Sequence, residues 1–275
     1  MAHSDGTIVG SELYPVAEAC GLTAEQVRSC LRRLVSEGML DRDGRGASAT
    51  YRSTTAGIAA LRLSTLRTRL AYSQDAAGKG WNRKWRLVAF AIPEGQRAAR
   101  DEFRLSLLDM GGAALQNGVY VSPHDWHRFV LEAANRAGVA EFVVMATSDD
   151  LSVGGESDPR ILARKLWPID ELAARYEAFV EKYQNVPESL TQHRQRRERI
   201  ADSVYLPGAF AMATALNEVF LADPLLPPEL LPRPWPGRVA RDLAIRSRRL
   251  AISMLASHER PTLFSHFDEA TDPFL

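Results

Sequence analysis

Cysteine is nearly absent: Cys20 and Cys30 are the only two in 275 residues, with no CxxC spacing. Neither a disulfide framework nor a thiolate metal knuckle can be built from them, and a small buried thiol is the ordinary role for each. So little cysteine points to a reducing compartment. Net charge is absent as well, since 34 Lys and Arg balance 34 Asp and Glu. The chain as a whole therefore does not coat polyanions, and any nucleic-acid contact has to come from local clustering. There is no GxGxxG or P-loop glycine cradle and no nucleophile elbow, so no catalytic residue is assigned. No secretory leader is read at the N-terminus. The longest apolar run, around Phe210–Phe220, is broken by Asn217 and Glu218 and reads as too short for a bilayer. The expected location is the cytoplasm, with no membrane partner.

What the chain does hold is one complete working part, from Ser11 to Arg52. A short amphipathic run, Ser11–Cys20, stops at Gly21, and a second helix opens with Thr23-Ala24-Glu25-Gln26, the reciprocal cap that satisfies two orphan backbone donors. Val27, Leu31, Leu34 and Val35 share one face of it, which leaves Glu25, Arg28, Ser29, Arg32 and Arg33 outward. After Gly38, Met39–Arg42 and Ser48–Arg52 read as short strands around the Asp43-Gly44-Arg45-Gly46 turn. Helix, glycine turn, basic helix and basic hairpin is the layout of a winged helix-turn-helix. A helix pair joined by glycine is often plain packing; the basic outer face and basic hairpin turn this one toward DNA. Arg28, Arg32 and Arg33 are the residues expected to meet guanine edges or phosphates. Thr23, Glu25, Gln26 and Ser29 stand at the start of the recognition helix, and Arg42, Arg45 and Arg52 on the wing. A winged domain usually has one more helix ahead of this pair. Met1–Gly10, short and polar, holds almost none of it, so that helix is either lost or lies upstream.

Beyond the hairpin, Thr54-Thr55 is expected to cap a helix running to about Tyr72, with Ala59, Leu63, Leu66 and Leu70 at heptad-like spacing. Two heptads are too few for a coiled coil; the stripe packs on the next domain or forms a dimer contact. Ser73–Gly80 reads as a linker. A strand over Trp85–Ile92, a helix over Glu94–Met110, a hairpin about Asn117-Gly118 and a strand over Glu141–Ala146 follow. Between the last two, Ser122 is expected to cap a helix from Pro123 with Trp126, Phe129, Val130 and Ala133 buried. The order is β-α-β-β-α-β, the ferredoxin-like unit. Leu162–Trp167 reads as an edge strand. From Ile169 the chain is helical, with Leu172, Tyr176, Phe179, Val180 and Tyr183 on an apolar face. Next come the basic run His193–Arg199, taken as a solvated face, and Phe210–Phe220, read as a core helix. Six of the fifteen prolines crowd between Pro224 and Pro236; the leucines and tryptophan among them argue that this stiff segment packs on the domain. A last helix, Arg238–Ser257, carries Val239, Leu243, Leu250 and Met254.

Three stretches together resemble one family. They are Trp85-Arg-Leu-Val-Ala-Phe-Ala-Ile-Pro-Glu94 with Arg97 and Arg100 after it, Gly118-Val-Tyr-Val-Ser-Pro-His-Asp125, and Asp223-Pro-Leu-Leu-Pro-Pro-Glu-Leu-Leu-Pro232 with Trp235-Pro-Gly237. On these the chain resembles the PaaX family of bacterial transcriptional repressors. The resemblance implies a homodimer that binds double-stranded operator DNA through its N-terminal head. Founding members of the family control phenylacetate catabolism and leave DNA on binding phenylacetyl-CoA, so an aromatic or acyl-CoA effector is implied, with no other cofactor. The middle domain is also similar to the small CRISPR-associated nuclease of ferredoxin-like fold, where an aspartate ending the first strand holds a metal. Phe90-Ala91-Ile92-Pro93 stands here instead, so nuclease activity is not expected, hard oxygen ligands being required.

The expected fold is therefore α+β and multidomain. Residues 1–72 form a winged helix-turn-helix with a connecting helix, 81–168 a ferredoxin-like domain and 169–275 an all-helical domain. Trp81, Trp85, Arg86, Tyr120, His124 and Trp126 gather in and around the middle domain. Core packing is their ordinary role, and an effector pocket for an aromatic acyl group, with Arg86 or His124 near a thioester or phosphate, is the functional alternative. His124 and His127 are spaced to share a helical face, but no third ligand closes a site, so no metal is assigned. A metal-dependent nuclease and a scaffold with a vestigial head are the competing readings.

Overall fold

The computed structural model describes residues 7–78, 80–198, 202–254 and Thr271. The chain is mixed α+β. In order it runs β1 (Thr7–Val9), α1 (Gly10–Ala19), α2 (Ala24–Ser36), β2 (Leu40–Asp43), β3 (Thr50–Ser53) and α3 (Thr55–Ala77). Then come β4 (Trp85–Phe90), α4 (Arg97–Asp109), β5 (Ala113–Gln116), β6 (Val119–Ser122), α5 (His127–Ala137) and β7 (Val143–Ser148). The remainder is α6 (Pro159–Leu166), α7 (Ile169–Tyr183), α8 (Val186–Gln195), α9 (Asp202–Ala222) and α10 (Pro236–Ser253). Two compact units result. Met1–Ser73, Phe179–Asn217 and Ala240–Leu275 make the first, Gln74–Ala178 and Glu218–Val239 the second.

In the first unit an antiparallel sheet of order β1-β3-β2 backs the two short helices. Ala17, Val27, Leu31, Leu40, Ala49 and Tyr51 are buried together, with Ile8, Leu13, Leu34 and Val35 packed on them. Strand β1 corrects the reading of Met1–Gly10 as merely short and polar. Its three residues carry no legible period; Thr7 becomes a strand by pairing with Arg52, more than forty positions away. Thr54 does cap α3, accepting from Gly57 N at 3.1 Å while donating to the Gly38 carbonyl at 2.6 Å. Gly57 is required there, because a Cβ on it would collide with the Met39 carbonyl. Helix α3 then continues to Ala77, which replaces the linker expected over Ser73–Gly80. Its leucine stripe is open among the described residues: Leu63, Leu66 and Leu70 are 59%, 55% and 37% exposed.

The run around Phe210–Phe220 belongs to the longer α9, in which Asn217 and Glu218 do not interrupt the helix. Its Val204–Ala222 portion is long and apolar enough to cross a membrane, which corrects the reading of that run as too short. Core helices of soluble proteins reach the same length and composition. Met212, Leu216 and Val219 are its buried residues, and only 17% of the apolar window is buried, so it is less of a core helix than expected.

The second unit holds a four-stranded antiparallel sheet of order β5-β6-β4-β7, with β4 paired to β6 and β7. Val88, Phe103, Leu107, Tyr120, Trp126, Val130, Ala133 and Ala134 fill the layer between its one face and helices α4 and α5. The hairpin turns on Gly118, at φ +74°, where a Cβ would meet the Phe90 carbonyl at 2.6 Å. Three expectations fail here. Helix α5 starts at His127, not Pro123, because Ser122 is paired with Arg86 in the sheet and its Oγ accepts from His124 N within the intervening turn. That start rotates Phe129 outward, to 48% exposure. Leu162–Leu166 is helix, not strand, and Trp167 caps its end: Asp158 Oδ1 accepts from the amides of Arg160 and Ile161 at 2.9 and 3.1 Å, Pro159 occupies the first turn, and α6 follows. Of the apolar residues named for the last helix, Leu243 is buried, as is Ala240 beside it, whereas Val239 is 42% exposed.

The proline-rich segment packs as expected. Leu225, Leu226, Leu230, Leu231 and Trp235 are all buried. Asp223 anchors it: this carboxylate, 4% exposed, accepts from Tyr176 OH at 2.8 Å and from Leu225 N at 2.7 Å. A buried carboxylate is tolerated only with such partners. Asp223→Ala removes the acceptor of both bonds from a closed interior and is expected to cost about 2–4 kcal/mol, whereas Tyr176→Phe costs about 1 kcal/mol. Thermal unfolding of both variants checks the order; equal small losses would contradict it.

Candidate nucleic-acid interface

Helix α2 is held at its start by the expected reciprocal cap. Gln26 N donates to Thr23 Oγ1 at 3.2 Å, and Thr23 N donates to Gln26 Oε1 at 2.7 Å. Both side chains are exposed yet already engaged. With Val27 and Leu31 turned into the core, Glu25, Arg28, Ser29, Arg32 and Arg33 are all exposed on the other side. Three of these are tied together. Glu25 Oε2 accepts from Arg28 Nε and Nη2 at 3.1 and 2.8 Å, and its Oε1 accepts from Arg32 Nη2 at 3.1 Å. Spacings of three and seven residues put the trio on one line along the helix. Arg33, Arg42, Arg45 and Arg52 are exposed and make no ion pair among the described residues. Arg52 lies opposite Asp41 on β2 and Thr7 on β1, Arg42 lies opposite Tyr51, and Arg45 sits at the turn between β2 and β3. From Thr23 to Ser53 six arginines stand against four carboxylates, a local positive excess in a chain that is neutral overall.

Hydrogen bonding from Arg28, reinforced by its charge, holds the Glu25 carboxyl below the usual glutamate value. Arg28 is pushed up in turn by that same hydrogen bond. A depressed carboxyl pKa means the clamp is complete above the unperturbed value and opens as pH falls through the lowered one. At neutral pH Arg28 and Arg32 are therefore held by Glu25.

The six aromatic and basic residues gathered from the middle domain do not line one site. Strand alternation puts Trp85 and Arg86 on opposite faces of the sheet. On one face Trp85 stacks on Trp167 (6.4 Å between centroids) and meets Trp81 edge-on (5.1 Å). On the other, Tyr120 stacks on Phe90 (5.7 Å), and Trp126 lies in the same helix-covered core. His124 is in the turn before α5, its Nε2 donating to the Pro224 carbonyl at 3.1 Å, so it shares no helical face with His127. Arg86 is 7% exposed, with Asp125 Oδ1 at 3.6 Å from Nε. Its Nη1, Trp126 Nε1 and His127 Nε2 have no hydrogen-bond partner among the described residues. The strand ending at Phe90 is followed by Ala91, Ile92 and Pro93.

Comparison with known proteins bears on the whole chain. Residues 78–162 match the family model described as the PaaX protein central Cas2-like domain, and residues 167–258 that of the PaaX-like protein C-terminal domain. Over 264 residues the chain is 30% identical to the transcriptional repressor PaaX of Escherichia coli (strain K12), covering 93% of this chain and 78% of that one. The chain belongs to the PaaX family. A solved structure, the uncharacterized protein Rv0674 from Mycobacterium tuberculosis, superposes with a TM-score of 0.51 at 22% identity, covering 89% of this chain and 90% of that one. That likeness shows a shared fold. Within the PaaX family models the proline-rich segment falls in the C-terminal match, and the four-stranded sheet in the central one.

Two outcomes follow from these contacts. Arg28→Ala should move the titration midpoint of Glu25, followed by carboxyl NMR, upward toward the usual glutamate value; an unmoved midpoint would contradict the clamp. In the second unit, Asp125→Ala removes the carboxylate nearest a buried guanidinium and should cost about 1–3 kcal/mol. Arg86→Met, which removes the charge itself, should be neutral or stabilising in the same thermal unfolding assay. A larger loss for Arg86→Met than for Asp125→Ala would contradict this account of Arg86.

Proposed function

We propose that this chain is a DNA-binding transcriptional repressor, a cytoplasmic regulator and not an enzyme, that grips operator DNA as a homodimer. The observation that carries the reading is the exposed arginine face of α2 and the hairpin after it, in a chain whose family includes a named repressor. Residues 1–72 act as a winged helix-turn-helix, an assignment supported by the helix-helix-hairpin order and the β1-β3-β2 sheet. Thr23, Glu25, Gln26, Arg28, Ser29, Arg32 and Arg33 enter the major groove, and Arg42, Arg45 and Arg52 lie along the backbone beside it. Residues 81–168 form the ferredoxin-like body, supported by the β5-β6-β4-β7 order, and residues 169–275 the helical part. The exposed leucine stripe of α3 supports the homodimer, since Ala59, Leu63, Leu66 and Leu70 offer a second copy an apolar seam.

The family resemblance supports release from the operator by an effector of the aryl-CoA type in an aromatic catabolic pathway. Such release requires the effector to bind the DNA-free arrangement more tightly, so DNA and effector weaken each other by one common factor.

Arg33→Ala with Arg45→Ala should lower operator affinity at fixed salt by about tenfold or more in gel shift, two charge-assisted contacts being lost. Glu25→Gln should act oppositely. It frees Arg28 and Arg32 and removes a charge that repels phosphate, so binding to unrelated DNA rises while discrimination falls. An arginine pair whose loss leaves affinity unchanged would sink the assignment.

A further inference from the structure

The basic run His193–Arg199, read from the sequence as a solvated face, contributes Arg194 to a recess of about 740 Å³ in the first unit, whose other wall is the last helix. Helix α8 lines it with Glu188, Thr191 and Arg194, and helix α10 with Arg246, Arg249 and Ser253. Each set is spaced at three-residue or four-residue steps or multiples of them, so each is a single stripe of its helix, and the two stripes face across the gap. Pro187 and Leu250 supply apolar wall.

The electrostatics of the recess are lopsided. Three guanidinium groups line it against one carboxylate, Glu188. Arg246 is committed in part, its Nε donating to Asp242 Oδ2 at 2.9 Å one turn back. Arg194 and Arg249 make no ion pair among the described residues. They come from different helices, so a bound group can be gripped from two sides, and the guanidinium fork matches phosphate oxygens two at a time. The volume falls within the roughly 300–1,000 Å³ typical of small-ligand sites. With no glycine cradle in the chain, side-chain guanidiniums are the means by which phosphates would be held.

We propose that this recess binds a small organic polyphosphate, its phosphates between Arg194 and Arg249 and its less polar part against Pro187 and Leu250. As an anion site it stands on the lining alone. As the effector site of the repressor it rests on the function proposed above, and it moves the effector away from the tryptophans of the second unit.

Titration calorimetry of the full chain with ADP, AMP and inorganic pyrophosphate, each at fixed ionic strength, tests the site. ADP and pyrophosphate should bind one per chain and more tightly than AMP. Arg194→Ala with Arg249→Ala should weaken ADP by about tenfold or more while the unliganded melting temperature stays put. Should that pair unfold the protein, Arg249→Lys, which keeps the charge and loses the fork, is expected to give an intermediate loss. No binding by the wild type, AMP bound as tightly as ADP, or equal ADP binding by the variants would overturn the site. Displacement of ADP by a short duplex in proportion to its phosphates, undiminished by Arg33→Ala with Arg45→Ala, would overturn the small-molecule reading in favour of DNA backbone. ADP bound at the site with operator affinity unmoved would uphold the anion site and overturn its role as effector site.

Discussion

The function proposed for the head depends on a small apolar contact: Val27 and Leu31 of α2 set against Leu40, Ala49 and Tyr51 of the sheet. Because 3.6 residues make a turn, burying those two positions obliges Glu25, Arg28, Ser29, Arg32 and Arg33 to face outward together. The same sheet carries Arg42 and Arg52, and the turn between its strands carries Arg45, so one cluster orients both halves of the cationic surface. Gly57 and Thr54 lock the exit of that sheet to the start of α3, the helix that carries the exposed leucine seam. The display of charge and the unburied apolar stripe are thus consequences of the same packing.

Within the arginine face the groups are not equivalent. Glu25 holds Arg28 and Arg32 at bonding distance, which leaves Arg33, Arg42, Arg45 and Arg52 uncommitted. An exposed ion pair is screened by solvent and contributes little to stability, so the clamp can be released by a stronger partner at small cost. A phosphate or a guanine edge is such a partner. In the function proposed above, that arrangement would favour particular sequences over adhesion to any polyanion.

Much of this was legible in the residues. The Thr23–Gln26 cap, the α2 face, the Asn117-Gly118 hairpin and the packed proline segment all rest on short-range chemistry, and the structure has them where the sequence put them. The misses share a cause. Strand β1 exists only through distant pairing with β3. The start of α5 depends on Ser122 being claimed by the sheet, and the edge strand read over Leu162–Trp167 overlooked the helix start that Asp158 and Pro159 set for α6. The proposed effector residues of the second unit failed to converge because neighbouring positions on a strand point to opposite faces, which a gathering by composition ignores. Conversely, the α8–α10 recess joins a basic run and the last helix, which lie far apart in the chain and which no local pattern pairs.

The most direct test of the central claim is the salt dependence of binding to DNA fragments that co-purify with the protein. Because each neutralised phosphate releases counterions, the logarithm of the association constant falls with the logarithm of salt in proportion to the contacts made. The account predicts a steep slope for the wild type, shallower by about one for each of Arg33, Arg42, Arg45 or Arg52 replaced by alanine. A slope near zero, or one that none of these replacements changes, would contradict it.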